Sequence, residues 1–397
     1  MTSRNWPNGF ARACVTISLL AGALAAQPAA QKTPAIALID GSDAATWQEV
    51  TRELGWRVIV PEIAANSDPD HRALALAAQV QAAIQSGTVD PARIYLAGRG
   101  EASALVFYTI SRVPDLFAAG AAIGGSPKPA IDTNRIFAVN FTNAPVLWIS
   151  GEDGKALAER LQAGKLNLEW RSAAGGTTAG TVIQWLASHQ RDAFPAKVDC
   201  ETNSPQFARC YWVQMTKFDS NERNDVLEAT RVPGNPAAAL DLGGFGFKLD
   251  DPGPGVLVSF LPEKYSGPLK LNDRIVALDG RPLESVKQYQ GLMEKFTEDK
   301  QAVVTVQRGK ERVRIETRVV VPRTDAGVTA RVQAQYLPAE KQIQIISRTA
   351  TEMKVTIPPD WLPAGLLWNG LTLDSVKEPG CWLLSIQKEL LRAERCP

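Results

Sequence analysis

The run Ala35-Ile36-Ala37-Leu38-Ile39 contains no polar residue. A strand with no polar side belongs in a parallel sheet covered on both faces. A helix-forming stretch and a second strand, 57–60, follow it, and the alternation then repeats. Residues 71–86 read as a helix with alanine and leucine on one stripe, 94–97 as a third strand and 102–111 as its helix. Residues 120–123, 145–150 and 166–170 supply three more strands, and 181–189 a closing helix. Alternation of this kind predicts an α/β unit over 34–194, a parallel sheet with helices on both faces. A chain of 397 residues has room for about two to three domains, and 45% apolar residues suffice for their cores.

The third strand runs into Tyr95-Leu96-Ala97-Gly98-Arg99-Gly100-Glu101-Ala102. An apolar strand, a tight turn and a helix of small residues make the frame in which G-x-S-x-G lifts a serine oxygen out of a sheet. On this frame and the element order, the unit resembles the α/β-hydrolase superfamily, especially exported esterase-like and depolymerase-like members. The resemblance implies a Ser…Asp…His triad in that chain order. Gly100 stands in the serine position, and glycine has no group with which to attack. The acid belongs in the loop Gly151-Glu152-Asp153-Gly154, so Asp153 or Glu152 would be its vestige. The base belongs in the loop 172–178, which holds no histidine. Asp40-Gly41-Ser42 stands where related enzymes often carry His-Gly for the oxyanion hole.

The chain has two histidines, His71 ahead of the third strand and His189 at the end of the last helix. Ser103 falls inside the helix after the turn, and Glu101 borders the turn. A triad acts as a unit, so loss of serine and base together predicts an inactive domain with Gly100 and Asp153 as vestigial positions. The rival reading is an active esterase or peptidase with a non-standard arrangement of Ser103, Glu101, Asp153 and His189. No spacing marks a metal site, and no cofactor is expected.

A different pattern occupies 243–322. It opens Gly243-Gly244-Phe245-Gly246-Phe247-Lys248-Leu249, continues with the apolar run 256–260, and reaches Leu269-Lys270-Leu271-Asn272-Asp273-Arg274-Ile275-Val276-Ala277-Leu278-Asp279-Gly280. A helix over 285–296 and strands at 302–308 and 313–320 close it. This stretch resembles a PDZ domain, in the strand order of bacterial exported proteins. The resemblance implies a peptide or protein ligand that adds as a strand to a sheet edge. Backbone N–H groups of Phe245, Gly246 and Phe247 would receive a terminal carboxylate, with Gly244 and Gly246 allowing close approach. Leu249 would line the groove, and Tyr289 and Met293 would face it from the helix, Met293 being equally a core candidate. Asp241, just upstream, disfavours a terminal carboxylate, which keeps internal peptide segments or a strand of this same chain open as occupants.

Residues 196–242 and 326–397 share β-branched and aromatic runs such as Tyr211-Trp212-Val213-Gln214-Met215 and Gln342-Ile343-Gln344-Ile345-Ile346. They read as one mostly antiparallel β module interrupted by the 243–322 unit. Its tryptophans Trp361, Trp368 and Trp382 offer a third function, sugar or polymer binding, although tryptophans of a β module are mostly core.

Arg4 and Arg12 precede an apolar run and Ala23-Leu24-Ala25, the pattern of a signal peptide over 1–25 with cleavage before Ala26. Cys14 leaves with it, and Cys200, Cys210, Cys381 and Cys396 remain. Four cysteines in an exported chain suggest two disulfides in one of three pairings. A secreted or periplasmic location follows, with no transmembrane segment after cleavage. A net charge of +1 gives no field for nucleic acid. The reading as a whole is an exported binding or scaffold protein with a PDZ unit and a degenerate hydrolase domain.

Overall fold

The computed structural model describes residues 32–63, 67–176, 178–222, 224, 226–322 and 327–396. The signal peptide expected over 1–25 lies outside the described residues. Among those residues no helix is long and apolar enough to cross a membrane.

The first strands are β1 (Thr33–Leu38), β2 (Arg57–Ile59), β3 (Val89–Arg99), β4 (Ala119–Ile123), β5 (Val146–Ser150) and β6 (Leu168–Ser172). They form one parallel sheet in the order β2-β1-β3-β4-β5-β6. Helices α1 (Ala44–Arg52), α2 (Pro69–Gln85), α3 (Ala102–Arg112), α4 (Lys128–Ile131), α5 (Lys155–Ala163) and α6 (Ala179–Ala187) connect and cover it. Ala35, Ile94, Leu96, Val146 and Trp148 pack on one face with Leu76, Val80 and Val106 of α2 and α3. The intervening Ile36, Tyr95 and Leu147 pack on the other with Trp47 of α1 and Val182, Ile183 and Leu186 of α6. Both faces are buried along β4, β5, the later part of β1 and residues 94–98 of β3, which is why the sequence shows apolar runs there in place of alternation. The outer strands β2 and β6 keep exposed Arg57 and Glu169.

Several features differ from the sequence expectation, among them the following two. Helix α5 was not foreseen, because it buries only Ala158 and Leu161, a stripe too narrow to register as a period. Strand β3 starts at Val89, ahead of 94, because Val89 pairs with Thr33 before a register shift.

Next come β7 (Lys197–Thr202), β8 (Arg209–Cys210) and β9 (Val213–Phe218). The chain then enters β10 (Ala239–Leu240), β11 (Gly246–Phe247), β12 (Val256–Phe260), β13 (Arg274–Leu278), β14 (Arg281–Pro282), α7 (Val286–Met293), β15 (Lys300–Arg308) and β16 (Glu311–Val320). These strands form an antiparallel sheet in the order β10-β16-β15-β13-β12-β11, with β14 paired to β13. Its core joins Val258, Ile275, Val304 and Val306 to Tyr289 and Met293 of α7. Ser285 caps α7 by accepting from the Gln288 N–H, and the helix ends at Met293, short of the expected 296.

The last strands are β17 (Ala330–Leu337), β18 (Gln342–Arg348), β19 (Ala350–Ile357), β20 (Ala364–Trp368), β21 (Leu371–Val376), β22 (Gly380–Gln387) and β23 (Leu390–Arg395). With β7–β9 they make two five-stranded sheets, β21-β20-β18-β17-β7 and β23-β22-β19-β9-β8. Val332 and Ile345 of one sheet share a core with Met215 and Val355 of the other. The Cys200–Cys210 disulfide links β7 in one sheet to β8 in the other, and Cys381–Cys396 holds the end of the chain to β22. Closing loops of 10 and 15 residues, each is worth about 3 kcal/mol on the chain-entropy account.

The inserted sheet is fastened at its root by one buried carboxylate. Glu201 of β7 accepts from the Thr230 N–H at 2.6 Å and the Thr230 hydroxyl at 2.8 Å. It also accepts from the Thr329 hydroxyl and from Arg348 Nη2 at 3.0 Å. Thr230 lies on the way into the insertion and Thr329 on the way back, so one side chain ties both crossings to β7.

Candidate functional site

An open α/β sheet binds ligands beyond the carboxyl ends of its strands, where the strand order reverses. Here that point lies between β1 and β3, flanked by the Asp40-Gly41-Ser42 loop and the turn at Gly100. The turn is strongly built. Gly100 sits at φ +60°, in the left-handed region a strand-to-helix elbow requires. Its N–H donates to the Ile123 carbonyl at 2.8 Å, and its carbonyl accepts from the Ser103 N–H at 3.1 Å. The loop after β4 presses close enough that a Cβ at Gly125 would stand 1.9 Å from the Gly100 oxygen. A Cβ at Gly100 itself would meet nothing within 4 Å. The turn thus points an empty position outward.

The side chains around it occupy other roles. Arg99 reaches across the switch point to Asp43, at the start of α1, with Nε 2.7 Å from Oδ2. Ser42 bonds back to Asp40 through both its N–H and its hydroxyl. Glu101 and Asp153 are exposed, and the Asp153 carboxylate curls over Gly151, where a Cβ would lie 2.6 Å from Oδ1. Ser103 is 0% exposed and donates its hydroxyl to the Ile123 carbonyl at 2.9 Å. His189 holds its Nδ1 2.8 Å from the Trp185 carbonyl, and its ring lies 4.3 Å from the Trp185 ring. His71 is exposed in the first turn of α2. Neither histidine is bonded to Ser103, Glu101 or Asp153.

The glycine-aromatic segment presents different geometry. Strand β11 forms the edge of its sheet, and its outer side is unpaired among the described residues. On its inner side Gly246 pairs with Phe260 so closely that a Cβ would stand 3.0 Å from the Phe260 Cβ. The loop before it turns through Gly243 and Gly244 at φ +81° and +76°. Tyr265 pins this loop from behind: its hydroxyl donates to the Leu242 carbonyl at 2.6 Å and accepts from the Leu269 N–H at 3.0 Å. Asp241 is held by Arg318 at 3.3 Å, and its N–H donates to the Arg318 carbonyl at 2.8 Å. That carboxylate therefore has a cation of its own.

Between β11 and α7 the aromatic rings meet. Phe247 lies edge-on to Tyr289 at 5.7 Å, and Phe245 lies 6.2 Å from Phe247. Burial pushes the Tyr289 hydroxyl up to about 12, so it is neutral at any ordinary pH. Leu249 is 55% exposed, whereas Met293 is 2% exposed and its carbonyl accepts from the Ala238 N–H. Of the residues singled out from sequence, Phe245, Phe247 and Tyr289 come together, Leu249 stands exposed two residues along the chain from Phe247, and Met293 packs in the core with the buried Tyr289. Tyr265 and Arg318 were missed. They lie 20 or more residues from the loop in sequence, and no local pattern ties either to it.

The three tryptophans considered for sugar binding are packed. Trp361 stacks on Tyr336 at 4.6 Å, Trp368 is 0% exposed with its N–H on Ser347, and Trp382 lies under Arg395 at 5.1 Å.

Residues 243–319 match the family model of the PDZ domain. This part of the chain is a PDZ domain. Curated proteins yield no match to the chain. Solved structures similar to its N-terminal part include a thermostable esterase, at 16% identity and a TM-score of 0.31, covering 41% of this chain and 56% of that one. They also include S-formylglutathione hydrolase (FrmB) from Staphylococcus aureus, at 12% identity and a TM-score of 0.31, covering 40% and 82%. An esterase from Rhizomucor miehei follows at 11% identity and a TM-score of 0.32, covering 40% and 75%. The α/β-hydrolase-like character of the parallel sheet rests on the chain's own strand order and on the turn at Gly100.

Proposed function

We propose that this is an exported peptide-binding or scaffold protein whose PDZ domain takes an extended segment along β11 and whose hydrolase-like domain is inactive. The observation that carries the proposal is the unpaired edge of β11 lying beside α7, behind a glycine loop held open by Tyr265. Such an edge offers main-chain N–H and C=O groups to an incoming strand, and the Phe245–Phe247–Tyr289 cluster with Leu249 offers an apolar surface for its side chains. The Asp241–Arg318 pair removes the charge objection to a terminal carboxylate, so protein C-termini are the favoured ligands. Inactivity is supported by the glycine at position 100, the buried Ser103, the His189 ring held at the Trp185 carbonyl and the place of His71 at the exposed start of α2. Export is supported by the signal-peptide pattern and the two disulfides. The units in this reading are 34–194, a β module of 196–242 with 326–397, and the PDZ unit of 243–322.

Fluorescence polarisation on the full-length protein, with peptides carrying free and amidated C-termini, tests the binding half. Saturable binding that prefers the free carboxylate is expected, and Leu249→Lys should weaken it by about tenfold, or ~1.4 kcal/mol. Failure of every peptide to bind would sink it. A fluorophosphonate probe tests the other half: labelling abolished by Ser103→Ala would establish an active enzyme.

A further inference from the structure

A cavity of about 420 Å³ opens beside the segment that carries the chain from the β module towards the PDZ domain. Its apolar lining comes from Ile131 of α4, Leu157 and Leu161 of α5, and Val232 and Pro233 of the connecting segment. The size and apolar lining suit a small organic ligand.

The connecting segment is a fixed wall. The Val232 N–H donates to the Ile136 carbonyl at 2.8 Å, and the Gly234 N–H donates to Asn134 Oδ1 at 2.9 Å. The Asn235 N–H donates to Asp132 Oδ1 at 3.1 Å, and Lys128 Nζ donates to the Asn235 carbonyl at 3.1 Å. The segment lies so flat on α4 that a Cβ at Gly234 would stand 2.5 Å from the Ile131 oxygen. A ligand would enter a site already formed, with little ordering left to oppose binding.

Charge at the rim selects the ligand. Lys128, Arg160 and Arg231 border the cavity, against a single carboxylate, Asp132. That carboxylate is already engaged by Lys128 at 2.6 Å and by the Asn235 N–H. Arg160 is exposed and forms no ion pair among the described residues. A neutral guest would gain no attraction from this cation, and a cationic one would face repulsion. A multiply charged polar anion would waste the apolar lining.

We propose that the cavity binds an amphipathic organic anion, with its apolar body against Leu157, Leu161 and Val232 and a carboxylate head at Arg160. Decanoate is the probe, with decanol and decyltrimethylammonium as neutral and cationic controls, titrated by calorimetry into the full-length protein below the micelle concentration. One decanoate should bind per chain, with weaker binding of decanol and none of the cation. Arg160→Glu should reduce decanoate affinity at least about tenfold, since an attraction becomes a repulsion at an exposed position that folding does not need. Leu157→Trp should fill the cavity and abolish binding, and circular dichroism checks that this variant folds. Where it does not fold, Arg160→Glu alone decides. Absence of saturable decanoate binding, equal affinity for decanol, or affinity undiminished in Arg160→Glu would each overturn the proposal.

Discussion

The turn at Gly100 and the loop at Gly243–Gly244 use one device, positive-φ glycine next to a strand, and carry opposite prospects. At Gly100 the backbone of an elbow is intact, with its hydrogen bonds to β4 and open space above it. Nucleophilic catalysis, however, needs a side-chain oxygen and a base within hydrogen-bond reach, and glycine supplies neither. At β11 the working groups are main-chain N–H and C=O, which a glycine segment keeps and exposes. A glycine in place of a side chain therefore removes what the first kind of site needs and keeps what the second kind uses. The neighbours reinforce the contrast: Arg99 spans the first opening to Asp43, while Tyr265 props the second loop from behind.

Four substitutions probe this comparison. The largest effect is expected at the joint between the regions. Arg348→Met leaves the Glu201 carboxylate buried without its cation, which should cost about 3–5 kcal/mol in urea unfolding. Peptide affinity of the folded fraction should stay unchanged. A variant that loses peptide binding while folded would show that the PDZ groove depends on its root.

Asp273→Asn comes next, at about 1.5–3 kcal/mol near neutral pH, because Asp273 accepts two bonds from Arg308 at 2.9 and 2.7 Å. Burial works to raise the Asp273 pKa, but Arg308 and the Lys270 N–H outweigh it and hold the carboxyl below its ordinary 3.8. A depressed folded pKa gives stability that is present above 3.8 and lost as pH falls through the folded value. Asp115, in the turn after α3, behaves in the opposite sense. Burial pushes its carboxyl up against the pull of Arg209 and Arg191, so its contribution falls as pH rises from 3.8 towards the folded value. The urea-unfolding penalty of Asp273→Asn should therefore shrink as pH falls below 3.8, and a penalty independent of pH would contradict the assignment.

Gly100→Ser places a non-glycine residue at φ +60° and should destabilise by about 1–2 kcal/mol. It should produce no ester turnover, because no histidine lies in the loop that follows β6. Turnover from this single change would show that the domain is one atom short of activity. The smallest effect belongs to Arg99→Ala, which removes a half-exposed ion pair worth about 0–1 kcal/mol. It should also leave the protein unreactive towards a fluorophosphonate. Labelling gained on removing Arg99 would mean that this side chain alone blocks the opening.

Legibility followed the range of the interactions. The runs at 35–39 and 145–150 announced their strands because each residue reports its own burial. The Gly243–Leu249 segment announced its loop through local backbone demands. Helix α5 was hidden, since only Ala158 and Leu161 face the core. The cysteines left three pairings open, and the structure joins each to its nearer partner because β7 and β8 bring Cys200 within 6.0 Å of Cys210, Cα to Cα.

A parallel α/β unit, a PDZ-like unit and the lack of a nucleophile at position 100 were all readable from residues adjacent in the chain. Those are properties of composition and short-range order. The tertiary structure alone decided that Arg99 closes on Asp43, 56 residues away, and that Arg318 neutralises Asp241 across 77. It alone made Glu201 the fastening for both crossings and walled the cavity at Arg160 with a segment from elsewhere in the chain. Each depends on side chains brought together by strand order, and strand order is a sum of many weak packing terms that no single stretch of residues records.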